Sequence, residues 1–172
     1  KIFFYKLLTK VTLRFSNLYT VTSFSDIDFL KSYFPVRNIK VVPNWIEKTS
    51  YTDINRKENK ILMVGRLESQ KNYPLAFEFL QNLNNEFELD IYGTGSNKEY
   101  LEQLSNHKGL GVNFLGNISH SELLKTYKNY KYFLSTSKFE GNPKTILEAV
   151  NNECIVFATD IPNHSEIISN RF

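Results

Sequence analysis

The order of apolar segments predicts an α/β fold, with a Rossmann-like parallel sheet and helices on both faces. From residue 60 onward, short apolar runs, several of which end at a glycine, alternate with amphipathic stretches of helical length. Strands that alternate with helices in this way pack through right-handed crossovers and form a doubly wound sheet. The composition supports a globular chain, since 41% of the 172 residues are hydrophobic and 23% are charged.

The region from residue 60 onward contains five predicted strands, each followed by a helix. The strands are expected at 60–64, 87–92, 112–115, 131–135 and 154–158. The helices are expected at 73–84, 97–107, 120–130, 143–151 and from 162 onward. Ser119 and Glu122 have the spacing of a capping box at the start of the third helix. Because ligands of such sheets bind at the carboxyl ends of the strands, we expect a site in the loops that follow them.

The residues before 60 have a less regular pattern. Short strands are predicted at 18–22 and 39–42, and a helix over 26–33 with Ser25 as its N-cap lies between them. A polar stretch without periodicity indicates a linker. We therefore expect three parts, which are the remnant of a first domain over 1–45, a linker over 46–59, and a domain over 60–172 that is truncated at its C-terminus.

Charge and cysteine content exclude several classes of protein. The net charge of +3 gives no basis for nucleic-acid binding. The single Cys154 excludes an intramolecular disulfide and a multi-cysteine metal site, and we expect it to pack in a buried strand. His107, His120 and His164 are isolated in the sequence, so surface roles are expected for them. No metal site is predicted.

Residues 1–15 combine apolar and basic side chains. No apolar run there approaches the about 18 residues that a membrane span needs, and lysines interrupt the segment too often for a signal peptide. One interpretation is a surface helix of the first domain. The other is a basic amphipathic helix that lies on an anionic membrane surface.

The loop after the strand at 60–64 carries two cations. Arg66 and Lys71 flank a short turn that follows Gly65. Arginine offers a bidentate fork to phosphate and lysine a point charge, so together they can stabilise a diphosphate as it leaves. The alternative is a pair of solvated surface cations.

The helix start near residue 143 has the features of an anion site. Asn142 suits an N-cap and Pro143 the first helical position. The amides of Lys144 and Thr145 would then be free at the positive end of the helix dipole. Gly141, one residue before the cap, permits close approach of a ligand.

Two carboxylates flank this helix start. Glu140 follows the strand at 131–135 through a short loop, and Glu148 lies between one and two turns into the helix. Carboxylates accept hydrogen bonds from sugar hydroxyls, so one can hold a donor sugar and the other a ribose. The alternatives are a solvated Glu140 and a Glu148 that pairs with a cation.

Two other motifs carry less weight. Gly93-Thr-Gly95 is a tight turn after the strand at 87–92, and such turns usually serve geometry alone. The chain has neither a GxGxxG after the strand at 60–64 nor a GxxxxGK[ST] phosphate loop. Asp26-Ile-Asp28 falls at a helix start, where a structural role is expected.

Seven segments occur in a characteristic order: Val64-Gly-Arg-Leu67, Lys71-Asn72, Tyr92-Gly-Thr-Gly95, Phe114-Leu-Gly116, Ser137-Lys-Phe-Glu-Gly-Asn-Pro143, Leu147-Glu-Ala149 and Glu166-Ile-Ile168. This ordered set resembles the family-4 retaining glycosyltransferases, which have two Rossmann-like domains facing across a cleft in the GT-B architecture. The resemblance implies that residues 60–168 are the donor-binding half of such an enzyme. Val42-Pro-Asn-Trp45 is similar to the family's passage between domains, and Val21-Thr-Ser23 to a late strand of the first domain.

The resemblance also implies roles for the matched residues. Arg66 and Lys71 would contact the donor diphosphate, Glu140 the donor sugar, and Glu148 the nucleotide ribose. Of these, Glu140, Arg66 and Lys71 are the expected catalytic residues. The other expected donor contacts are Gly65, Gly93, Phe114, Gly141, Asn142, Pro143, Lys144 and Thr145.

Two positions depart from the family's pattern. Lys144 stands where a hydrophobic or small residue is common, so an extra cation is expected near the donor or the acceptor. Asn151-Asn-Glu-Cys154 replaces a turn that usually carries Gly and then Pro. The acceptor residues of the first domain are absent from this chain. We therefore expect it to bind donor and to catalyse little by itself.

The expected function is transfer of a sugar from a nucleoside diphosphate-sugar to an acceptor hydroxyl with retention, in surface polysaccharide or glycolipid synthesis. The expected partners are the nucleotide-sugar donor and a glycan or glycolipid acceptor, with no nucleic acid, no cofactor and no metal. The expected location is the cytoplasm or, through peripheral association, the inner face of the membrane. The alternatives are a non-catalytic nucleotide-sugar-binding domain and an epimerase or phosphorylase of the same architecture.

Overall fold

The computed structural model describes residues 7–9, 11–12, 14–43, 46, 56–84 and 86–169. The chain divides into two compact units, Lys1–Trp45 and Ile46–Phe172. Most of the predicted linker lies outside the described residues, as do Asn44 and Trp45 of the predicted passage between domains. None of the helices in the described part of the chain is long and apolar enough to cross a membrane.

The unit Lys1–Trp45 contains two short parallel strands with a helix between them in sequence. The strands are β1 (Tyr19–Val21) and β2 (Ile39–Val41), and the helix is α1 (Phe24–Tyr33). Ser23, and not the predicted Ser25, is the N-cap of α1, because Ser23 Oγ accepts a hydrogen bond from the Asp26 amide at 3.2 Å. Thr22 Oγ1 donates to the Asp26 carboxylate at 3.1 Å, so Asp26 of the Asp26-Ile-Asp28 motif has the expected structural role.

The unit Ile46–Phe172 contains a five-stranded parallel sheet with the order β5-β4-β3-β6-β7. The strands are β3 (Lys57–Val64), β4 (Glu88–Tyr92), β5 (Val112–Gly116), β6 (Tyr130–Ser135) and β7 (Ile155–Ala158). The helices are α2 (Tyr73–Asn82), α3 (Lys98–His107), α4 (His120–Tyr127), α5 (Lys144–Asn151) and α6 (Pro162–Ser169), and a single 3₁₀ turn at Ser69–Lys71 precedes α2.

Apolar clusters cover both faces of this sheet, which confirms the predicted fold class. Ile61 and Met63 of β3 pack with residues of α2 and α3 on one face. Leu62, between them, packs with residues of α4 and α5 on the other. Successive side chains of a strand point to opposite faces, so a continuous apolar run is the pattern of a strand buried on both sides.

The strand order reverses at β3. The chain adds β4 and β5 on one side of β3, and then returns to add β6 and β7 on the other. The carboxyl ends of β3 and β6 therefore flank the switch point, the crevice where doubly wound sheets bind ligands.

Some element boundaries differ from the sequence predictions. β3 begins at Lys57, inside the predicted linker, because the Lys57 amide donates to Asn129 O at 2.9 Å and the strand pairs with the start of β6. The helix after Ser119 ends at Tyr127 because Tyr130 already begins β6. Cys154 is buried, with Sγ 3.5 Å from the carbonyl oxygens of Tyr127 and Tyr130, which confirms its packing role. It lies just before β7, whose Ile155 and Phe157 are exposed, so the predicted buried strand at this position is wrong.

Candidate functional site

The loops after β3 and β6 meet at the switch point through an ion pair. Lys71 Nζ lies 2.6 Å from Glu140 Oε1, and their side chains are only 16% and 10% exposed. Ser137 Oγ donates to the same carboxylate oxygen at 2.7 Å. The Lys138 amide donates to Gln70 O at 2.9 Å, so the two loops are also joined through the backbone. The fold thus brings together two predicted site residues that lie 69 positions apart.

The Lys71 side chain packs directly against the Cα atom of Gly65. A Cβ atom at Gly65 would lie 2.8 Å from Lys71 Cε and 3.1 Å from Lys71 Cδ. The absence of a side chain at Gly65 therefore allows the Lys71 stem to pass the end of β3. The hydroxyl of Tyr73 donates to Gly65 O at 2.9 Å, and burial raises the pKa of Tyr73, so this phenol remains a donor.

Arg66 differs from Lys71 in its environment. It is exposed, and its guanidinium has no acceptor among the residues that the structure describes. One of the two predicted cations is thus held by a carboxylate, and the other is open to an anion.

The Gly93-Thr-Gly95 turn packs directly on the backbone of the loop after β3. Gly93 has a φ of +148°, and a Cβ there would lie 1.9 Å from Gly65 O. A Cβ at Gly95 would lie 2.5 Å from Leu67 O. The Leu67 amide donates to Thr94 O at 2.9 Å, which extends the β3–β4 pairing into the loops. This turn therefore shapes the site through the backbone that it supports.

The start of α5 differs from the sequence prediction. Pro143, and not Asn142, is the N-cap residue, and no side chain caps the helix. With φ −78° and ψ 76°, Pro143 is the centre of an inverse γ-turn in which the Lys144 amide donates to Asn142 O at 2.9 Å. The predicted free amide at Lys144 is therefore wrong. The Thr145 amide has no acceptor in the described part of the chain, so it is the group left for an anion at this helix start.

The residues around this turn leave open space beside it. No heavy atom lies within 4 Å of a Cβ built at Gly141, and Asn163 Nδ2 of α6 holds Gly141 O at 2.9 Å. Lys144 is exposed at the first residue of α5. The space at Gly141 is compatible with the predicted close approach of a ligand.

Glu148 lies on the inner side of α5, where it is 3% exposed. Its Oε1 lies 2.9 Å from His120 Nε2, and its Oε2 accepts a hydrogen bond from the Tyr127 hydroxyl at 3.0 Å. Burial and the nearby Glu148 carboxylate raise the pKa of Tyr127 well above its ordinary value, so the phenol stays protonated and donates. Sequence reasoning treated His120 as isolated and missed this partner, which is 28 positions from Glu148.

His164 is fully buried, so the surface role expected from the sequence is wrong. Its Nδ1 lies 2.9 Å from Thr159 O, and since a carbonyl can only accept, Nδ1 carries the proton. Thr159 Oγ1 in turn donates to Ser137 O at 2.7 Å. Burial lowers the pKa of His164. The histidine turns inward at the start of α6 and anchors the segment that leads to Glu140.

Phe114 lies inside β5 and packs against the cluster under α2 and α3. Gly116 is the last residue of this strand, and Asn117 begins the loop that follows it. Gly116 O accepts from the Gly93 amide at 2.8 Å, and Asn117 Oδ1 accepts from Thr94 Oγ1 at 3.2 Å. The Phe114 ring is partly buried against this cluster, so a donor contact at the end of β5 would come from Gly116, Asn117 and their backbone.

The described residues contain no group of three or more His, Cys, Asp or Glu side chains that could hold a metal ion. Lys71, Arg66 and the Thr145 amide lie in or next to the loops at the carboxyl edge of a doubly wound sheet. Such an arrangement defines a class of protein, the α/β domains that bind phosphorylated ligands at a strand-order reversal.

The particular family follows from comparison with known proteins. The chain belongs to the family described as glycosyl transferases group 1, whose pattern it matches over residues 47–172. The capsular polysaccharide biosynthesis glycosyltransferase CapH of Staphylococcus aureus is 28% identical over 144 residues, which cover 78% of this chain and 39% of CapH. The amylovoran biosynthesis glycosyltransferase AmsD of Erwinia amylovora is 28% identical over 170 residues, which cover 93% of this chain and 46% of AmsD. The chain thus spans less than half the length of these relatives.

Solved structures share the fold. TarM of S. aureus superposes with a TM-score of 0.79 at 23% identity, over 91% of this chain and 32% of TarM. Alr3699/HepE of Anabaena, crystallised with UDP and glucose, superposes with a TM-score of 0.81 at 20% identity, over 94% of this chain and 49% of that protein. The α/β fold with a parallel sheet is therefore shared with GT-B glycosyltransferases.

Proposed function

We propose that this chain is the donor-binding half of a family-4 retaining glycosyltransferase, which transfers a sugar from a nucleoside diphosphate-sugar to an acceptor hydroxyl. The observation that carries the proposal is the Lys71–Glu140 ion pair at the switch point. The loop after β3 also carries the exposed Arg66, and the loop after β6 leads to the unbonded Thr145 amide. A diphosphate and the sugar attached to it need a cation and an acceptor side by side.

In this proposal the cations act on the leaving group. When the glycosidic bond to phosphate breaks, negative charge develops on the departing diphosphate, and Lys71 and Arg66 stabilise it. Glu140, once Lys71 turns to phosphate, accepts a hydrogen bond from a donor-sugar hydroxyl while Ser137 still holds its Oε1. Glu148 accepts from the ribose. The charge on the leaving group is met by side chains, so we propose that no metal is required.

The relatives guide the choice of substrates. TarM and Alr3699/HepE were both crystallised with UDP, so a UDP-sugar is the donor to test first. CapH and AmsD are named for capsular polysaccharide and amylovoran biosynthesis, which favours a glycan or glycolipid acceptor in surface polysaccharide synthesis. Such an acceptor favours action in the cytoplasm or at the inner face of the membrane.

Two measurements test the proposal. Calorimetry of the chain with UDP, GDP, ADP, CMP and their sugars should find one nucleoside diphosphate that binds and raises the unfolding midpoint by mass action. With the full-length protein, NMR of the product should show an acceptor glycoside with the anomeric configuration of the donor, formed equally well in EDTA. Release of an epimerised sugar nucleotide, phosphorolysis or loss of turnover in EDTA would each contradict the proposal.

A further inference from the structure

The Glu148 carboxylate has one buried and one exposed hydrogen-bond partner. Tyr127, one partner of its carboxylate, is fully buried, whereas the His120 side chain, the other partner, is 68% exposed. The inner side of Glu148 is therefore closed by a phenol of α4, and its outer side is bordered by an imidazole at the first residue of the same helix. A ligand group that approaches the Glu148 carboxylate from the side of its exposed partner lies against His120.

Two features hold this arrangement in place. Ser119 and Glu122 form the predicted capping box, in which each side chain bonds the other residue's amide at 3.3 Å, so the position of His120 at the start of α4 is fixed. On α5, Asn152 Nδ2 donates to Glu148 O at 2.8 Å. The two helices thus present the imidazole and the carboxylate to each other with anchored backbones.

The protonation pattern leaves hydrogen-bonding capacity on the carboxylate. An ionised carboxylate can only accept, so His120 Nε2 carries the proton in the bond to Oε1. A carboxylate has about four acceptor positions, and the described residues use one on each oxygen, from His120 and Tyr127. One further hydroxyl can bond each oxygen, which suits the vicinal 2′- and 3′-hydroxyls of a ribose.

We propose that His120 is a positioning residue for ribose recognition, which orients Glu148 through the Nε2–Oε1 hydrogen bond so that both ribose hydroxyls are read. The inference rests on the proposed function, because it assumes that a nucleotide binds at this edge of the sheet. It adds the first residue of α4 to the donor site. The site then distinguishes ribonucleotides from deoxyribonucleotides through a pair of residues on two helices.

The test compares UDP with 2′-deoxy-UDP by calorimetry on the chain. We expect wild type to prefer UDP, and we expect His120→Ala and His120→Phe to lose about tenfold in UDP affinity, the loss expected for one hydrogen bond to a charged group. Affinity for 2′-deoxy-UDP should change little, so the ratio of the two affinities falls. His120→Gln should retain the ratio, because its amide also donates. His107→Ala, at the exposed end of α3, is the matched control and should behave as wild type.

A double-mutant cycle and a second ligand distinguish a failure of the proposed function from a failure of the inference on His120. His120→Ala added to Glu148→Gln should cost nothing further if the two residues act as one unit. Inorganic pyrophosphate should bind wild type and His120→Ala equally, because the cations that bind it lie elsewhere. If wild type binds no nucleoside diphosphate, the proposed function fails. If wild type binds UDP but does not discriminate, or if His120→Ala keeps the UDP preference, the inference on His120 alone is overturned.

Discussion

The Lys71 ammonium and the Glu140 carboxylate lie 2.6 Å apart where the strand order of the sheet reverses. Each comes from a loop that follows a neighbouring strand, and neither is fully solvated. A diphosphate that binds Lys71 must compete with this carboxylate. The ion pair therefore holds the two loops together. A phosphate that binds Lys71 would have to break it, which would reduce the net binding free energy of the phosphate.

Replacing Lys71 with Ala should weaken diphosphate binding far more than it perturbs folding. We expect pyrophosphate and UDP affinities to fall about tenfold or more, since a charge-assisted hydrogen bond contributes about 1.5–3 kcal/mol. The free energy of unfolding should fall by about 1–2 kcal/mol, because Glu140 loses a partner but keeps Ser137. Calorimetry and urea denaturation measure the two effects.

The matched control for this change is Lys98→Ala. Lys98 forms an exposed i,i+4 pair with Glu102 at 3.4 Å on α3, and such pairs contribute little. Lys98→Ala should therefore leave the ligand affinities and the free energy of unfolding unchanged. Wild-type turnover in the full-length protein carrying Lys71→Ala would refute the phosphate-binding role of Lys71.

Replacing Glu140 with Gln should strengthen pyrophosphate binding and weaken sugar transfer from the nucleotide-sugar. The amide oxygen still accepts a hydrogen bond from the Lys71 ammonium, but without a charge it competes less strongly than the carboxylate. Pyrophosphate should therefore bind several-fold more tightly. Transfer from the nucleotide-sugar by the full-length protein should fall, because the sugar loses a charged acceptor. Calorimetry measures the expected gain in pyrophosphate affinity, and a transfer assay measures the expected loss of sugar transfer. Glu99→Gln, an exposed carboxyl on α3, should change neither, and weaker pyrophosphate binding in Glu140→Gln would contradict competition.

Much of the fold could be predicted because the information is local. The apolar run before Gly65 alternates between two buried faces, and Ser119 with Glu122 forms a capping box within one turn of helix. The proximity of Lys71 and Glu140 also follows from local information. Each lies in a loop at the carboxyl end of a parallel strand, and these ends share one edge of the sheet.

The rest depends on contacts that no local pattern encodes. His120 is an unremarkable polar residue in the sequence until α4 and α5 pack and place it against Glu148. The burial of His164 depends on a turn after β7 that offers it the Thr159 carbonyl. Pro143 can be either the first residue of a helix or the centre of a turn, and its ψ of 76° shows that it adopts the turn. In each case tertiary packing decides between two locally acceptable states.

Replacing Gly93 with Ala should destabilise the domain strongly. An alanine Cβ would lie 1.9 Å from Gly65 O, and the φ of +148° is strained for any side chain. Because both atoms belong to paired strand ends that cannot separate freely, we expect a loss of about 3 kcal/mol or more in the free energy of unfolding, measured by urea denaturation. Gly141→Ala is the control, since its Cβ would meet nothing within 4 Å. Equal stability of the two variants would show that the β3 and β4 loops do not pack as described.

A buried carboxylate in the sheet leads to a prediction on acid stability. Asp90 of β4 is 3% exposed, and accepts hydrogen bonds from the Tyr130 hydroxyl at 2.6 Å and from Asn113 Nδ2 at 2.7 Å. Lys60 Nζ lies 3.5 Å away. Burial by itself would raise the pKa of Asp90, but these hydrogen bonds and the ammonium groups of Lys60 and Lys57 outweigh it and hold the pKa below its ordinary value.

Replacing Asp90 with Asn should therefore change how stability depends on pH. A carboxyl whose pKa is lower in the folded state binds fewer protons there than in the unfolded chain, so its stabilising contribution is present above about pH 4 and is lost as the pH falls through the folded-state value. We expect Asp90→Asn to lower the free energy of unfolding at pH 7 by about 2 kcal/mol, as for hydrogen bonds to a charged group. Its stability should then fall less steeply between about pH 4 and pH 2. Urea denaturation across this pH range measures the loss of stability at pH 7 and the fall of stability with decreasing pH.

The control is Glu78→Gln, which changes an exposed carboxyl on α2 and should keep the wild-type dependence of stability on pH. If stability falls as steeply with decreasing pH in Asp90→Asn as in wild type, Asp90 titrates alike in the folded and unfolded chains.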